Sequence, residues 1–246
     1  MSAARCKLMR LDRRLCELRI FIMCGRFTVR SAPRVKLKGV RTSDLPFEAR
    51  YNIAPTQEVV VIADFGSGLE LTKLVWGLIP ARSSDGKRFI NVRAETIETK
   101  PSFSESFKRR RCLILADGFF EWKRSAGSKQ PYYFQMSDES PFAFAGIWDS
   151  WLTRERISSC AIITTTANET LKPIHDRMPV ILRPESYHLW LDAQTDISFL
   201  RTLLVPLQGP TMSYYPVSRA VNYTQNDYPQ LINRADCEIG TTLSLF

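Results

Sequence analysis

One cysteine of this sequence stands directly after a methionine, in the segment MCGRF at residues 23–27. A free cysteine is usually a small buried hydrophobe, so the residue type alone is weak evidence of a site. If Met23 is removed, however, Cys24 carries both an amine and a thiol. The pKa of an α-amine is about 7.7 to 8.0, so roughly a tenth of it is a free nucleophile at neutral pH. Cys24 is therefore a candidate nucleophile.

Other polar residues lie in segments suited to proton transfer. Glu121 closes an aromatic run in the segment 117–122, which the sequence predicts to be a turn after a strand. A carboxylate in apolar surroundings has a raised pKa, which suits proton transfer near pH 7. Asn91 begins a segment that mixes an amide, a guanidinium and a carboxylate, and His175 is one of two histidines. A surface glutamate, a polar turn and a structural histidine remain the alternatives.

Composition limits the kinds of partner and site. The chain has 246 residues and a formal net charge of +9, which weakly favours a polyanionic partner. Its six cysteines form no C-x-x-C pair, and with two histidines they show no metal-ligand spacing. We therefore expect reduced thiols, no metal and no other cofactor. Because no signal-peptide core or 18-residue apolar run is present, we expect a cytoplasmic protein, near the nucleoid if bacterial, with no membrane partner.

Short apolar runs bounded by turn residues predict a β-rich fold. They are rich in β-branched and aromatic residues, which favours strands. The predicted strands are 58–63, 69–76, 112–116, 132–136, 142–148 and 160–165. Helices are predicted at 102–110 and after Pro184, with a further apolar segment at 197–204. We expect an α+β protein with mostly antiparallel strands in a barrel-like core and a few peripheral helices.

Six motifs in a fixed order carry a resemblance to a known family. They are MCGRF at 23–27, YNIAPT at 51–56, WGLIP at 76–80, NVRAET at 91–96, RCLILADGFFEW at 111–122 and IHDRMP at 174–179. Together they closely resemble the SRAP family, the SOS-response-associated peptidases that process abasic sites. The resemblance runs from Met23 to Ala220. It implies a β-rich fold with a basic groove for single-stranded DNA, and a catalytic cysteine exposed by loss of the preceding methionine.

The resemblance also implies roles for individual residues. Cys24 would be the nucleophile, with Asn91 and Glu121 as its polar partners and His175 as a second proton-transfer group. Arg26 and Arg93 would hold phosphates. Trp76 would be an aromatic platform beside the missing base, because stacking tolerates any sequence.

The chain departs from the family pattern at three places. Ala81 and Arg82 stand where the family usually has a tryptophan, which weakens the expected aromatic wedge. Leu115 replaces the usual proline, which we interpret as a packing change. The third departure is that 22 residues precede Met23, so the nitrogen of Cys24 is an amide as the chain is written. We expect residues 1–22 to be an extension that is not native or is removed, and 23–246 to form one SRAP-like domain.

These observations favour one function and leave two alternatives. The amine of Cys24 would condense with the aldehyde of an abasic deoxyribose in single-stranded DNA, and the thiol would close a thiazolidine ring. Lyase and self-processing activities could accompany it. The first alternative is a cysteine peptidase with Cys24 as nucleophile, His175 as base and Asn91 as orienting group. The second is a noncatalytic binder of single-stranded DNA. We expect a monomer. The sequence does not identify replication-associated protein partners.

Overall fold

The computed structural model describes residues 24–32, 37–42, 46–125, 128–152, 156–208 and 211–235. The expectations for residues 1–22 and for Met23 lie outside these ranges. The strands are β1 (Arg26–Val29), β2 (Arg41–Thr42), β3 (Arg50–Ile53), β4 (Glu58–Asp64), β5 (Leu69–Trp76), β6 (Asn91–Arg93), β7 (Arg111–Ala116), β8 (Gly118–Ser125), β9 (Ser128–Met136), β10 (Phe142–Leu152), β11 (Arg156–Thr166), β12 (Arg177–Pro179), β13 (Ile181–Leu182) and β14 (Met212–Pro216). The helices are α1 (Pro101–Arg109), α2 (Tyr187–Leu191) and α3 (Ile197–Thr202), with 3-10 turns at Ala94–Thr96, Pro184–Ser186, Arg219–Asn222 and Pro229–Ile232.

Five of these strands close into a barrel. Strands β11, β10, β7, β4 and β5 are hydrogen-bonded neighbours in that order, and β5 returns to pair with β11 in parallel. The other ladders of the ring are antiparallel. The expected fold, mostly antiparallel strands in a barrel-like core with a few helices, is confirmed. Closing the ring removes the exposed strand edges that an open sheet would leave.

A second sheet with the order β14-β9-β8-β1-β3 packs against the barrel. All its pairings are antiparallel. Side chains of β7 alternate between two cores: Ile114 packs in one cluster with Phe27 of the second sheet, and Leu113 packs in another with Phe107 of α1. Because β7 is buried on both faces, its sequence is a continuous apolar run rather than an alternating one.

The segment 117–122, which the sequence predicted to be a turn, is mostly strand. Asp117 alone separates β7 from β8. Its carboxylate accepts hydrogen bonds from Thr28 Oγ1 at 2.6 Å and from the backbone nitrogen of Arg30 at 2.5 Å, which fixes β1 beside β8. A Cβ on Gly118 would lie 2.0 Å from the hydroxyl of Tyr133, so this position requires glycine. The turn prediction was wrong because a tight junction and a strand share the same Asp-Gly signal.

The chain after β14 folds back over β1 and β3. The side-chain amide of Asn52 donates to the carbonyls of Val221 at 3.2 Å, Tyr223 at 3.1 Å and Asn226 at 2.8 Å. Asp227 in turn accepts hydrogen bonds from the backbone nitrogens of the β3 residues Tyr51 and Asn52. These hydrogen bonds hold the segment after β14 beside β3 and the start of β1.

The two predicted helices are present as α1 and as the turn Pro184–Ser186 continued by α2, and the further apolar segment contains α3. Within the described residues, no helix is long and apolar enough to cross a membrane. Within the same residues, no group of three or more His, Cys, Asp or Glu side chains is arranged to hold a metal ion.

Candidate active site

Cys24 lies at the entrance to β1 and is completely buried. Its backbone φ is +43°, in the left-handed region, which is uncommon for a residue other than glycine and is often found at functional positions. Its backbone nitrogen donates to Oε1 of Glu121 at 2.5 Å, across 97 positions of sequence. The contact arises because β1 and β8 are neighbours, with Arg26 opposite Phe120. The nitrogen of Cys24, rather than its sulfur, therefore makes the defining contact of this site.

Glu121 is a buried carboxyl with 1% of its surface exposed. Burial raises its pKa to about 8, against the opposing effect of hydrogen bonds from the backbone nitrogens of Cys24 and Trp122. Near neutral pH this carboxyl exchanges its proton readily, and it can act as either acid or base. The raised pKa that the sequence led us to expect for Glu121 thus arises from its buried position on strand β8, and not from a position in a turn.

A cleft of about 280 Å³ opens beside Glu121. The residues that line it combine three cations with two proton-transfer groups and two further polar or aromatic side chains. They are Arg26, Glu121, Trp122, Arg124, Lys129, His175 and Asn222. Because three arginine or lysine side chains surround the carboxyl, the cleft favours an anionic ligand.

His175 lies in this cleft with 19% of its side chain exposed. Burial lowers its pKa, Asp176 opposes this effect, and the charges of Arg124 and Arg177 lower the pKa further. Nδ1 accepts a hydrogen bond from the backbone nitrogen of Arg177 at 3.1 Å, and it also lies 3.0 Å from Oδ1 of Asp176. The two contacts require different protonation states. The lowered pKa favours the neutral ring, in which Nδ1 is the acceptor and Nε2 carries the proton.

Asn91 and Arg93 lie on β6, which runs parallel to β11 with Asn91 opposite Ile162 and Arg93 opposite Thr164. Neither residue lines the cleft that contains Glu121 and His175. The turn after β6 is tied to the histidine segment, because Glu95 accepts two hydrogen bonds from Arg177 at 2.7 and 2.9 Å. The structure therefore links the turn after β6 to the segment that carries His175 but does not place Asn91 or Arg93 in the cleft, and Arg93 is exposed.

Two of the expected DNA contacts have a structural role in this conformation. Trp76 is fully buried: its ring packs edge-on against Phe27 at 5.1 Å, and its Nε1 donates to the carbonyl of Ile90 at 2.9 Å. A fully buried ring has no face for a base to stack on, so this arrangement disagrees with the expected stacking role. Arg26 lines the cleft, but its Nη1 donates to the carbonyl of Val221 at 2.6 Å and to Asn52.

The sequence interpretation missed four residues of the cleft, namely Trp122, Arg124, Lys129 and Asn222. Trp122 donates from Nε1 to Oδ1 of Asn222 at 2.7 Å, which joins the hairpin to the returning C-terminal segment. If 117–125 had been interpreted as a strand, the basic residues of the β8–β9 hairpin would have been candidates. No sequence signal points to Asn222, because the return of the chain after β14 places it there.

The chain is similar over most of its length to one known protein family. The family model for SOS response associated peptidases (SRAP) matches residues 23–224. The chain is 42% identical over 221 residues to the Bacillus subtilis protein named abasic site processing protein YoqW, covering 85% of this chain and 99% of that one. It is 32% identical over 222 residues to the Escherichia coli protein named abasic site processing protein YedK, covering 85% and 99%.

Among solved structures, a crystal structure of a protein from Bacteroides thetaiotaomicron is similar, with a TM-score of 0.68 and 31% sequence identity. The similarity covers 75% of this chain and 85% of that one. The family match covers residues 23–224, a range that contains Cys24, Glu121 and His175. The chain therefore belongs to the SOS response associated peptidase family.

Proposed function

We propose that this protein recognises abasic sites in single-stranded DNA and binds them covalently through Cys24. The observation that carries the proposal is the 2.5 Å contact between the nitrogen of Cys24 and the buried carboxyl of Glu121, beside a cleft rich in cations. An abasic site offers the two features that this arrangement suits: an aldehyde for an amine to attack, and phosphates for the cations. Relatives that bear the name abasic site processing protein support the same assignment.

The active form in this proposal begins at Cys24, because an amide nitrogen cannot condense with an aldehyde. Residues 1–22 and Met23 are therefore absent from it. The α-amine of Cys24 attacks the aldehyde carbon of the ring-opened deoxyribose, and loss of water gives a Schiff base. The thiol then adds to the same carbon, its proton passes to the nitrogen, and a five-membered thiazolidine results. Because both nucleophiles belong to one residue, the second addition is intramolecular and gains a large effective concentration.

Glu121 is the group best placed to move protons at the nitrogen. It takes a proton from the amine before attack and helps to expel water from the first adduct. Neutral His175, in the same cleft, is the second proton-transfer group. By the family resemblance, Asn91 orients the cysteine or the sugar and Arg93 contributes positive charge for phosphates, although neither lines the cleft; Arg26 does line it. A lyase activity would arise from β-elimination at the Schiff base, and ring closure would suppress it.

The family description also records a peptidase, and the state of the thiol distinguishes the two chemistries. Burial, and then the neighbouring Glu121, raise the pKa of the Cys24 thiol well above its ordinary value. A peptidase nucleophile needs the opposite shift, because the thiolate is the attacking species. Amine-first chemistry needs no thiolate in the resting protein. This difference favours thiazolidine formation over the cysteine peptidase alternative.

The test compares protein that begins at Cys24 with the full chain, using single-stranded DNA that holds one abasic site. We expect a denaturant-stable adduct only with the free Cys24 terminus, and none with intact DNA or with borohydride-reduced sites. Cys24→Ser keeps the amine and loses the thiol, so it should give an adduct only when borohydride is present to trap the Schiff base. Equal adduct yields from Cys24→Ala or from the full chain would refute the proposal.

A blocked amine separates the alternatives. Acetylation of the Cys24 nitrogen leaves the thiol intact, so a cysteine peptidase would keep its activity and thiazolidine chemistry would be lost. A noncatalytic binder would retain abasic DNA in native gels and release it completely under denaturing conditions in every one of these forms.

A further inference from the structure

Two cations face each other across the β8–β9 hairpin at the rim of the cleft. Arg124 of β8 is the cross-strand partner of Lys129 of β9, and both side chains are exposed and line the cleft. Like charges placed directly opposite on neighbouring strands destabilise a hairpin. The two cations are therefore placed to hold one anion between them at the rim of the cleft.

The distance from this pair to the reacting carboxyl suits one continuous ligand. Arg124 lies three positions after Glu121 on the same strand, which is roughly 10 Å at the rise of a β-strand. A ligand with its aldehyde at the nitrogen of Cys24 and an anionic group farther along the same chain would contact both places. A DNA single strand has this form, since a phosphodiester follows every sugar.

Arg124 also lies close enough to His175 for its positive charge to lower the pKa of that ring, together with burial and the charge of Arg177. Asp176 acts in the opposite direction, and Glu121 and Lys129 share the same cleft. A phosphate bound to Arg124 would offset the charge that His175 experiences. The ring would then hold a proton more readily when DNA is present than when the cleft is empty.

We propose that Arg124 and Lys129 form a phosphate clamp, which holds the phosphodiester beside the lesion. The inference deepens the proposed function, since it assigns the residues that position the DNA backbone. It concerns binding and not covalent chemistry, so the two can fail separately.

Binding is measured with single-stranded DNA that contains a tetrahydrofuran abasic analogue, which has the phosphates but no aldehyde. Each phosphate contact on a single strand contributes about 0.7 to the slope of log affinity against log salt. The Arg124→Gln, Lys129→Gln double variant should therefore lose about 0.7 from the slope and bind about fivefold more weakly at 0.1 M salt, and each single variant should lose part of this. The melting temperature should stay close to the wild-type value, because both side chains are exposed.

Lys123 provides the matched control. It is exposed on the same hairpin beside Arg124, carries the same charge and does not line the cleft. Lys123→Gln should leave the salt slope unchanged. Equal losses at Lys123 and Arg124 would indicate general attraction by surface charge and would overturn the clamp, as would an unchanged slope in the Arg124, Lys129 double variant.

The second readout is an NMR titration of His175, with His188 of α2 as the internal reference in a chain that has two histidines. The analogue strand should raise the titration midpoint of His175 in the wild-type protein. Arg124→Gln should raise it without DNA and reduce the further change on binding, whereas Lys123→Gln should behave as wild type. If no adduct forms while these differences in binding and titration remain, the proposed function alone is refuted. If adducts form normally and these differences are absent, the clamp alone is refuted.

Discussion

Two almost fully buried charged side chains, one on each sheet, have opposite surroundings. Arg111 of β7 has 3% of its surface exposed and Glu121 of β8 has 1%. Arg111 donates to the carbonyls of Trp190, Phe107, Lys108 and Asp192 at 2.5 to 2.8 Å. These carbonyls lie at or just beyond the ends of α1 and α2, where helices leave acceptors unsatisfied. Arg111 therefore joins both helices to the barrel.

Glu121 has fewer hydrogen-bond partners than Arg111, and its surroundings differ. It accepts hydrogen bonds from the backbone nitrogens of Cys24 and Trp122, and it borders the open cleft. Burial lowers the pKa of Arg111 to about 10, which leaves it charged at neutral pH, whereas burial raises the pKa of Glu121 to about 8. Burial alone therefore does not identify a functional group. A buried group is a functional candidate when it can exchange its proton near neutral pH and a ligand can reach it.

The largest effect is expected at Glu121. In protein that begins at Cys24, Glu121→Gln keeps the shape and removes the proton exchange, so adduct formation should slow by about 10²- to 10⁴-fold. Single-turnover adduct kinetics measure the rate, and affinity for the tetrahydrofuran analogue should stay at the wild-type value. Glu105→Gln, an exposed change on α1, is the control. If binding fell in parallel with the rate, Glu121 would be a structural residue like Arg111.

Arg111→Met should show the reverse pattern. Several helix-terminal carbonyls would lose their donor, so the free energy of unfolding should fall by about 3 to 5 kcal/mol. The adduct rate per folded molecule should stay unchanged. Arg109→Met, an exposed change at the end of α1, should change stability by less than about 0.5 kcal/mol. Chemical denaturation of both variants provides the comparison, and equal losses would show that the buried contacts of Arg111 add little.

His175→Ala should slow adduct formation by about 10², at the lower end for a general acid or base. Because His175 and Glu121 serve one reaction, the double variant with Glu121→Gln should lose far less than the product of the single losses. The same single-turnover assay measures all three proteins. Strictly multiplicative losses would contradict the shared role, and a wild-type rate for His175→Ala would remove the histidine from the mechanism.

The smallest effect concerns stability and pH in the full chain. The pKa of Glu121 is about 8 in the folded protein against an ordinary 4.5, so between these values the folded state binds more protons than the unfolded state. The contribution of Glu121 to stability is thus fully present below pH 4.5 and is lost as pH rises through 8. Glu121→Gln should remove a decline on the order of 1 kcal/mol per pH unit. Denaturation of wild type, Glu121→Gln and Arg111→Met at pH 5 to 8 tests this, and Arg111→Met should keep the wild-type slope.

Strands that contain a short run rich in β-branched or aromatic residues were predictable from sequence. The runs that became β4, β5, β7, β9, β10 and β11 were identified because periodicity and residue type are local properties. Strand β8 was misinterpreted because its polar and charged residues resemble those of a turn. The barrel closure between β5 and β11 had no local signal, since its partners lie far apart in the sequence.

The sequence by itself determined the order of motifs that identifies the family, and with it the prediction that Cys24, Glu121 and His175 are site residues. Tertiary structure decided that the nitrogen of Cys24 meets Glu121, that Trp76 is a core residue, and that Arg124 and Lys129 line the cleft. The reason is physical. A residue's type is set by its own position, whereas its burial, pKa and reachable partners depend on neighbours that only folding brings close, here across 97 positions between Cys24 and Glu121.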